Sequence, residues 1–314
     1  MNIEYNIHRL STYLLADMKY RETHHPHRPE GPPPRGISEV TRAYFLDWDR
    51  LRIPGAVGNI EDTIRQNILN MERKGKAQDY VLRYAESHGL SVEHYLTAVQ
   101  KHLESLLSQA SYFKNCFPSV LEDVLNGSGR FKSQFETNGS GGFFSPIDHS
   151  HAEEQLFGFP DDPDKNKTKR PIYGYLSDSS SGEVRPRGRL SNVLEQYGNI
   201  TIKLKTNVSK KTTFTMEDSF DFRDELRPTP VSKPHFTSVP WGMGDPLTME
   251  SISTPHGLYV EAQYHGGLTF EDIESIHVHK ERITQEEYSR IQEIMTEYHN
   301  SERGARNPIA VVEY

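Results

Sequence analysis

The sequence has 314 residues and a formal net charge of -8 at pH 7, with 34% hydrophobic and 25% charged residues. This length allows a sizeable core, in one large domain or two smaller ones. The negative charge argues against general nucleic-acid binding, in which a basic surface supplies most of the affinity. No stretch approaches the roughly 18 consecutive apolar residues of a membrane helix. We therefore expect no nucleic-acid partner and no membrane-spanning segment.

Residues 1–36 predict a flexible N-terminal extension. Their first half lacks the apolar core of a secretory signal peptide, and their second half is a histidine- and proline-rich tract around His24–Pro34. Such a tract favours a partly polyproline conformation without a core of its own. Its histidines are more typical of a flexible tail than of a metal site, so no metal is predicted there.

Residues 37–116 predict a helical module of three or four helices. Apolar residues recur at helical spacing from Ser38 to about Gln109, and Ser91 supplies a helix start signal. The two clearest stripes are Ile60, Ile64, Ile68 and Met71, and Tyr95, Val99, Leu103 and Leu106. Neither stripe carries groups suited to catalysis, so we interpret this module as structural or partner-binding.

Cys116, at the end of this module, is the only cysteine in the sequence. A single cysteine excludes an intrachain disulfide and a thiolate zinc cluster, and it is typical of a protein that works in a reducing compartment. Because aromatic residues flank it, we expect Cys116 to be a small core residue and not a nucleophile.

Residues 117–314 predict a sheet-rich domain, so the fold class is α+β. One short helix is expected from Pro118 to Asn126, and the capping box Thr284-x-x-Glu287 predicts a second. The predicted strands are Arg170–Leu176, a hairpin of Ile200–Leu204 with Thr212–Thr215, Leu258–Gly267, Ser275–His279 and Ile309–Val312. Arg227–Pro255 predicts a long loop, and long loops inside a compact domain are often functional.

The strand Leu258–Gly267 alternates apolar and polar residues. Val260 and Ala262 have one parity, whereas Glu261, Gln263 and His265 have the other. A half-buried strand would show the same alternation without any function. Glutamate and glutamine are nevertheless depleted in strands, so this pair also fits the wall of a cleft.

Three separated segments could assemble one site. The glycine-rich stretch Arg130–Gly142 could bring backbone amides and an arginine to a diphosphate, although such a stretch alone is typical of a flexible loop. The stretch Thr212–Ser219 is rich in hydroxyl groups and ends at a turn with Asp218 and Ser219, although threonine-rich strands are also common without any function. Glu261 would act as a general base or stabilise positive charge, whereas His265 is either an acid-base group or structural.

These segments resemble a known family when they are taken together. The segments Gly129–Thr137, Gln155–Gly158, Arg170–Gly174, Thr213–Ser219 and Tyr259–Gly266 resemble, in order, the motifs of an uncharacterised bacterial domain family. That family in turn resembles a divergent branch of the mono-ADP-ribosyltransferases. The resemblance covers about Gly127 to His279, and the N-terminal helices lie outside it.

The resemblance implies an ADP-ribosyltransferase-like split β-sandwich around an NAD cleft. Glu261 matches the catalytic glutamate, and Gln263 matches the residue that helps to orient the acceptor. Many relatives have a second glutamate there, so the acceptor residue stays open. Arg130 matches the arginine that grips NAD, with Arg170 as its rival. The other residues assigned to NAD are Gln134, Thr137, Ser140, Tyr173, Thr213, Thr215 and Ser219.

The implied function is NAD-dependent mono-ADP-ribosyl transfer to a protein. Some effectors related to this branch modify ubiquitin on threonine, so host ubiquitin is one candidate acceptor. The expected setting is a secreted bacterial effector or toxin, delivered without a cleaved signal peptide into the cytosol of a target cell. Two alternatives remain open at this point, an NAD glycohydrolase with water as acceptor and a non-catalytic protein-binding module.

Overall fold

The computed structural model describes residues 33–46, 52–54, 60–71, 75–139, 145–184, 194–220, 226–252 and 259–314. The predictions for the extension up to residue 32, for Ser140 and for Leu258 fall outside these residues. The described helices are α1 (Ile37–Phe45), α2 (Ile60–Met71), α3 (Gly75–Ser87), α4 (Val92–Ser108), α5 (Pro118–Leu125), α6 (Gln134–Thr137), α7 (Pro146–Phe157), α8 (Gln285–His299) and α9 (Glu302–Arg306). The described strands are β1 (Ser111–Cys116), β2 (Ile172–Ser177), β3 (Ile200–Leu204), β4 (Thr212–Thr215), β5 (Thr229–Pro230), β6 (Val260–Tyr264), β7 (Ile273–Val278) and β8 (Ala310–Glu313).

Within these ranges, every helix is too short or too polar to cross a membrane.

Helices α1–α4 form the N-terminal part and confirm the predicted helical region. Ser91 caps α4, because its side chain accepts a hydrogen bond from the His94 backbone N–H. The apolar stripe of α4 is buried and belongs to the same core as the sheet. Helix α2 instead packs its isoleucines in a second cluster with Leu156, Phe157 and Phe159, at the end of α7.

The strands form one eight-stranded sheet in the order β5-β4-β6-β2-β1-β3-β7-β8. The pairings are antiparallel except for the parallel pair β7 and β8. This arrangement confirms the α+β class. The described strands are hydrogen-bonded into one continuous sheet. The split β-sandwich stays a prediction.

The predicted hairpin of Ile200–Leu204 with Thr212–Thr215 is wrong. Strand β3 pairs with β1 and β7, whereas β4 pairs with β5 and β6. The six residues Thr206–Lys211 between the two strands form a 3-10 helix. This helix replaces the short turn that a hairpin needs, and each strand then reaches a different part of the sheet.

Strand β6 confirms the predicted strand but not its half-buried environment. Val260, Ala262 and Tyr264 are fully buried, as the alternation indicates. Gln263 is also 0% exposed and Glu261 only 5%. Both faces of β6 are therefore buried, and its two edges are hydrogen-bonded to β4 and β2.

Candidate functional site

The polar side chains of β6 continue across its two neighbouring strands. Gln263 lies opposite Thr213 of β4 and Tyr173 of β2, and Glu261 lies opposite Thr215 and Tyr175. Residues directly opposite each other in antiparallel strands point to the same face. The sheet register therefore places these polar groups side by side.

Glu261 is the centre of this group. Its Oε1 accepts hydrogen bonds from Ser219 Oγ at 2.5 Å and from Gln263 Nε2 at 2.7 Å. Its Oε2 lies 3.4 Å from the Tyr259 hydroxyl, a longer and weaker contact. One carboxylate oxygen is thus firmly held, whereas the other is more weakly engaged.

A second carboxylate lies beside Glu261. The Tyr259 hydroxyl donates to Asp218 Oδ2 at 3.2 Å and thereby touches both acidic side chains. Burial, followed by the negative charge of Asp218, raises the pKa of Glu261 well above the ordinary value, against the opposing hydrogen bonds of Ser219 and Gln263. Neutral donors hold the carboxylate, so this site is suited to a positively charged ligand.

Gln263 links Glu261 to the threonines of β4. Its Oε1 accepts from the Thr213 hydroxyl at 2.8 Å, and its Nε2 also lies 3.4 Å from Thr215 Oγ1. The Thr215 hydroxyl itself donates to the Glu217 carbonyl at 2.6 Å. Both ends of the Gln263 amide are therefore engaged inside the protein, and its Nε2 holds Oε1 of Glu261.

Tyr173 belongs to a neighbouring buried cluster around Glu153. Glu153 Oε1 accepts from the Tyr173 hydroxyl at 3.0 Å and from Gln134 Nε2 at 3.4 Å. Glu153 Oε2 accepts from Arg170 Nη1 at 2.8 Å. The negative charges of Glu153 and Glu261 both add to the burial that raises the pKa of Tyr173. Tyr173 therefore donates to Glu153, is influenced by the charge of Glu261 and stays neutral.

Arg170 does not fit the predicted role as the rival NAD-gripping arginine. Its side chain is 0% exposed and forms a buried ion pair with Glu153. Its Nη2 donates to Ser150 Oγ and to the carbonyls of Pro160 and Asp162, and its Nε donates to the Lys165 carbonyl. Every guanidinium nitrogen is engaged, so gripping a diphosphate would require breaking a buried ion pair.

Arg130 remains the better placed arginine, although the structure does not join it to the hydrogen bonds around Glu261. Its side chain is 39% exposed and makes two hydrogen bonds to Glu136, at 2.9 and 2.5 Å. Glu136 also completes a capping box with Ser133 at the start of α6. Thr137 makes local contacts with the carbonyls of Ser133, Gln134 and Gly139. The predicted NAD-binding residues thus fall into a β4–β6 group, a Glu153 group and a local α6 group.

Glu153 is the residue that the sequence analysis missed. It lies on α7, a helix that the sequence analysis does not predict. A helix start signal was present, because Ser145 accepts from the Asp148 backbone N–H and Pro146 occupies the first helical position. The buried face of α7 includes Ser150 and Glu153, which hides the apolar spacing of an ordinary helix.

The sequence predicts no metal, and among the described residues His277 of β7 and the nearby His279 belong to no group of three candidate ligands. His277 contacts Ser275 at 2.8 Å and Tyr314 at 3.2 Å, which gives it a structural environment. Across the described ranges, His151, Glu154 and Asp161 bring ligand atoms within 4.8 Å of one another. All three are exposed, and exposed groups of this kind are common without an ion.

Comparison of the chain with models of known protein families and with curated proteins found no match.

Proposed function

We propose that this protein is an NAD-dependent mono-ADP-ribosyltransferase acting on a protein, with Glu261 as its catalytic carboxylate. The observation that carries the proposal is the buried cluster of Ser219, Glu261 and Gln263 beside Asp218. The cluster unites two of the segments that resemble the transferase motifs. Fold-level likeness to the split β-sandwich is part of the same proposal.

The electrostatics of the cluster suit the chemistry of NAD. When the bond between C1′ of the ribose and the nicotinamide nitrogen breaks, its electron pair goes to nicotinamide, and positive charge develops on the ribose. A preorganised carboxylate in a low-dielectric site stabilises such charge strongly. The acceptor then forms a bond to C1′ and releases its proton. Glu261 supplies the carboxylate, held by neutral donors next to a second negative charge.

Two features set conditions on NAD binding. Glu261 is 5% exposed, so NAD reaches it only after the groups that cover it move. The diphosphate needs a cation, and we assign this role to Arg130, which would exchange Glu136 for the phosphates. The acceptor and the setting stay as inferred from the resemblance: a protein, with host ubiquitin as one candidate, modified in the cytosol of a target cell by a secreted effector.

The test is incubation of the purified protein with NAD labelled in its adenylate moiety, together with ubiquitin and separately with a cell lysate. The proposal expects label on a protein in the presence of the wild type and not of Glu261→Gln. Glu286→Gln, the same chemical change at an exposed position of α8, serves as the matched control. Free ADP-ribose without labelled protein would instead support an NAD glycohydrolase. Absence of turnover would contradict both enzymatic functions and favour a protein-binding module.

A further inference from the structure

A row of four buried polar side chains runs along one face of β4 and β6. Its members are His265, Thr213, Gln263 and Glu261, which we call the polar relay. His265 Nε2 lies 2.9 Å from Thr213 Oγ1, Thr213 Oγ1 lies 2.8 Å from Gln263 Oε1, and Gln263 Nε2 lies 2.7 Å from Glu261 Oε1. Each member is at most 5% exposed, so water is not a ready substitute for a missing partner.

The relay has two possible directions because each hydrogen bond needs one donor. In the forward direction, His265 Nε2–H donates to Thr213, Thr213 donates to Gln263, and Gln263 donates to Glu261. In the reverse direction, a protonated Glu261 donates to Gln263, whose flipped amide donates to Thr213, which then donates to His265. The forward direction delivers a proton donor to an ionised carboxylate, whereas the reverse direction requires the neutral acid.

His265 decides between the two directions. Its Nδ1 is buried and has no hydrogen-bond partner among the described residues. The forward direction leaves Nδ1 as a bare acceptor, but the reverse direction places an N–H there with no acceptor. Buried N–H groups without partners are rarer in proteins than unsatisfied acceptors. The forward direction is therefore favoured, in which Gln263 donates to Oε1 of Glu261.

The imidazole also stays neutral, which keeps the relay intact. Burial lowers the pKa of His265 to about 3, and the ring packs edge-on against Phe157. A protonated ring would place an N–H at Nδ1 in every arrangement. His265 therefore stays neutral at pH values above about 3, with its proton on Nε2 in the forward direction.

We propose that His265 is a positioning residue that acts through Thr213 and Gln263 to stabilise the ionised form of Glu261, with Oε1 engaged and Oε2 left for the substrate. Its catalytic meaning rests on the proposed function. Among the described residues, the side chains of Ser219 and Gln263 both donate to Oε1, and Oε2 lies 3.4 Å from the Tyr259 hydroxyl. The Ser219 backbone N–H adds one more hydrogen bond to the carboxylate. The relay therefore selects which carboxylate oxygen faces the reacting ribose.

The first experiment needs no variant and no NAD. Nitrogen NMR of the ring-labelled, full-length protein at alkaline pH identifies which ring nitrogen of His265 carries the proton. The proposal expects the proton on Nε2. A proton on Nδ1 would overturn it, whatever the protein does with NAD.

The second experiment uses two matched pairs of variants. Thr213→Val and His265→Leu remove donors from the relay, whereas Thr213→Ser and His265→Gln keep a donor at a similar place. We expect Thr213→Val and His265→Leu to raise the pKa of Glu261, as measured by carboxyl-carbon NMR. Thr213→Ser and His265→Gln should keep this pKa close to the wild-type value. The other groups that act on the ionisation of Glu261 stay the same in all four variants: Asp218, Ser219, Tyr173, Tyr197 and Tyr259.

A merely structural role for His265 would lower the stability of the variants without moving the pKa of Glu261, and that result would overturn the proposal. NAD turnover provides a separate readout. Loss of one such hydrogen bond is expected to lower kcat about tenfold with little change in KM. If the wild type does not turn over NAD, the proposed function fails, yet the two NMR measurements still decide whether the relay exists.

Discussion

The Glu261 carboxylate combines a buried environment with donors that are all neutral. Ser219, Gln263 and Tyr259 contact it, and the nearby charge of Asp218 is of the same sign. A buried charge without a cation destabilises the folded state. The residue therefore carries a free-energy penalty that a nearby positive charge would relieve, and perturbed carboxylates of this kind are enriched at functional sites.

This penalty predicts a pH-dependent effect of Glu261→Gln on stability. Burial raises the pKa of Glu261 above its ordinary value of 4.5, so the folded state holds the proton to higher pH than the unfolded state. Between these two pKa values the unfolded state binds fewer protons, and the stability of the wild type falls as pH rises.

The variant lacks this ionisation. The free energy of unfolding of Glu261→Gln should therefore improve relative to the wild type as pH rises, by about 1.4 kcal/mol for each unit of pKa shift. Urea unfolding of both proteins over a series of pH values measures the difference. Parallel stability profiles would show that Glu261 ionises normally in the folded protein.

The two arginines provide a second prediction at the residue scale. Arg170→Met leaves Glu153 buried without its partner, and breaking such a pair costs about 3–5 kcal/mol. Arg130→Met removes an ion pair whose arginine is 39% exposed, and a loss of about 1 kcal/mol or less is expected. Urea unfolding measures both values.

The KM for NAD should depend on Arg130, although the stability of the fold depends more on Arg170. Arg130→Met should raise the KM for NAD if Arg130 grips the diphosphate. An unchanged KM would remove Arg130 from the site, and equal stabilities of the two variants would contradict the structural role of Arg170.

At the scale of elements, the spacing of apolar residues predicts the helices, whereas the sequence does not predict which strands pair. The stripe of Tyr95, Val99 and Leu103 predicts α4 because each residue recurs on one face, and the cap at Ser91 marks its start. Strand β1 was not predicted, since its six residues include Lys114 and Asn115, whose side chains are enclosed by tertiary contacts. Local sequence does not reveal such contacts, nor the crossover that separates β3 from β4.

For the site too, local sequence patterns predict the strand residues but not the contacts between distant segments. Alternation predicts the polar parity of β6. The resemblance assigns Glu261, Gln263 and Ser219 to one site, but it gives Gln263 the role of orienting the acceptor and Ser219 that of binding NAD. The ion pair of Arg170 with Glu153 could not be predicted, because the two residues come from α7 and the start of β2 and meet only in the folded protein. Burial on both faces of β6 likewise depends on long-range packing.

Close packing between strands gives a test at this scale. A Cβ atom on Gly174 of β2 would lie 2.3 Å from the Phe113 carbonyl oxygen and 2.6 Å from the Tyr264 ring. Gly174→Ala should therefore destabilise the protein by about 1–3 kcal/mol, as overpacking does. Gly139 has open space around its Cβ position, so Gly139→Ala is the control. Equal midpoints of urea unfolding for the two variants would contradict the packing of β2 against β1 and β6.

For the whole molecule, the helical part and the sheet are joined by one core. Leu103 of α4 and Ile202 of β3 belong to the same buried cluster. Asp245, in the long segment after β5, accepts a hydrogen bond from the Tyr95 hydroxyl at 2.7 Å and lies 2.6 Å from His88 Nε2. A residue of the predicted long loop thus binds helices α3 and α4 by hydrogen bonds.

This shared core predicts that residues 111–314 do not fold alone, although the sequence suggested a separate catalytic domain from residue 117. Removing α1–α4 would expose the apolar face that α4 covers, and an exposed face of this kind leads to aggregation. Circular dichroism and limited proteolysis of the fragment test the prediction. Cooperative unfolding of the fragment with the midpoint of the full chain would contradict it.

The most direct test of the central claim is the pH dependence of NAD cleavage. For the wild type, we expect kcat/KM to rise with pH along an acid limb whose pKa lies above the ordinary glutamate value of 4.5, because Glu261 must be ionised to act. Glu261→Gln should lose this limb and at least about 100-fold of the rate, whereas Glu286→Gln should match the wild type. Full turnover by Glu261→Gln, with the acid limb unchanged, would contradict the assignment of Glu261 as the catalytic carboxylate.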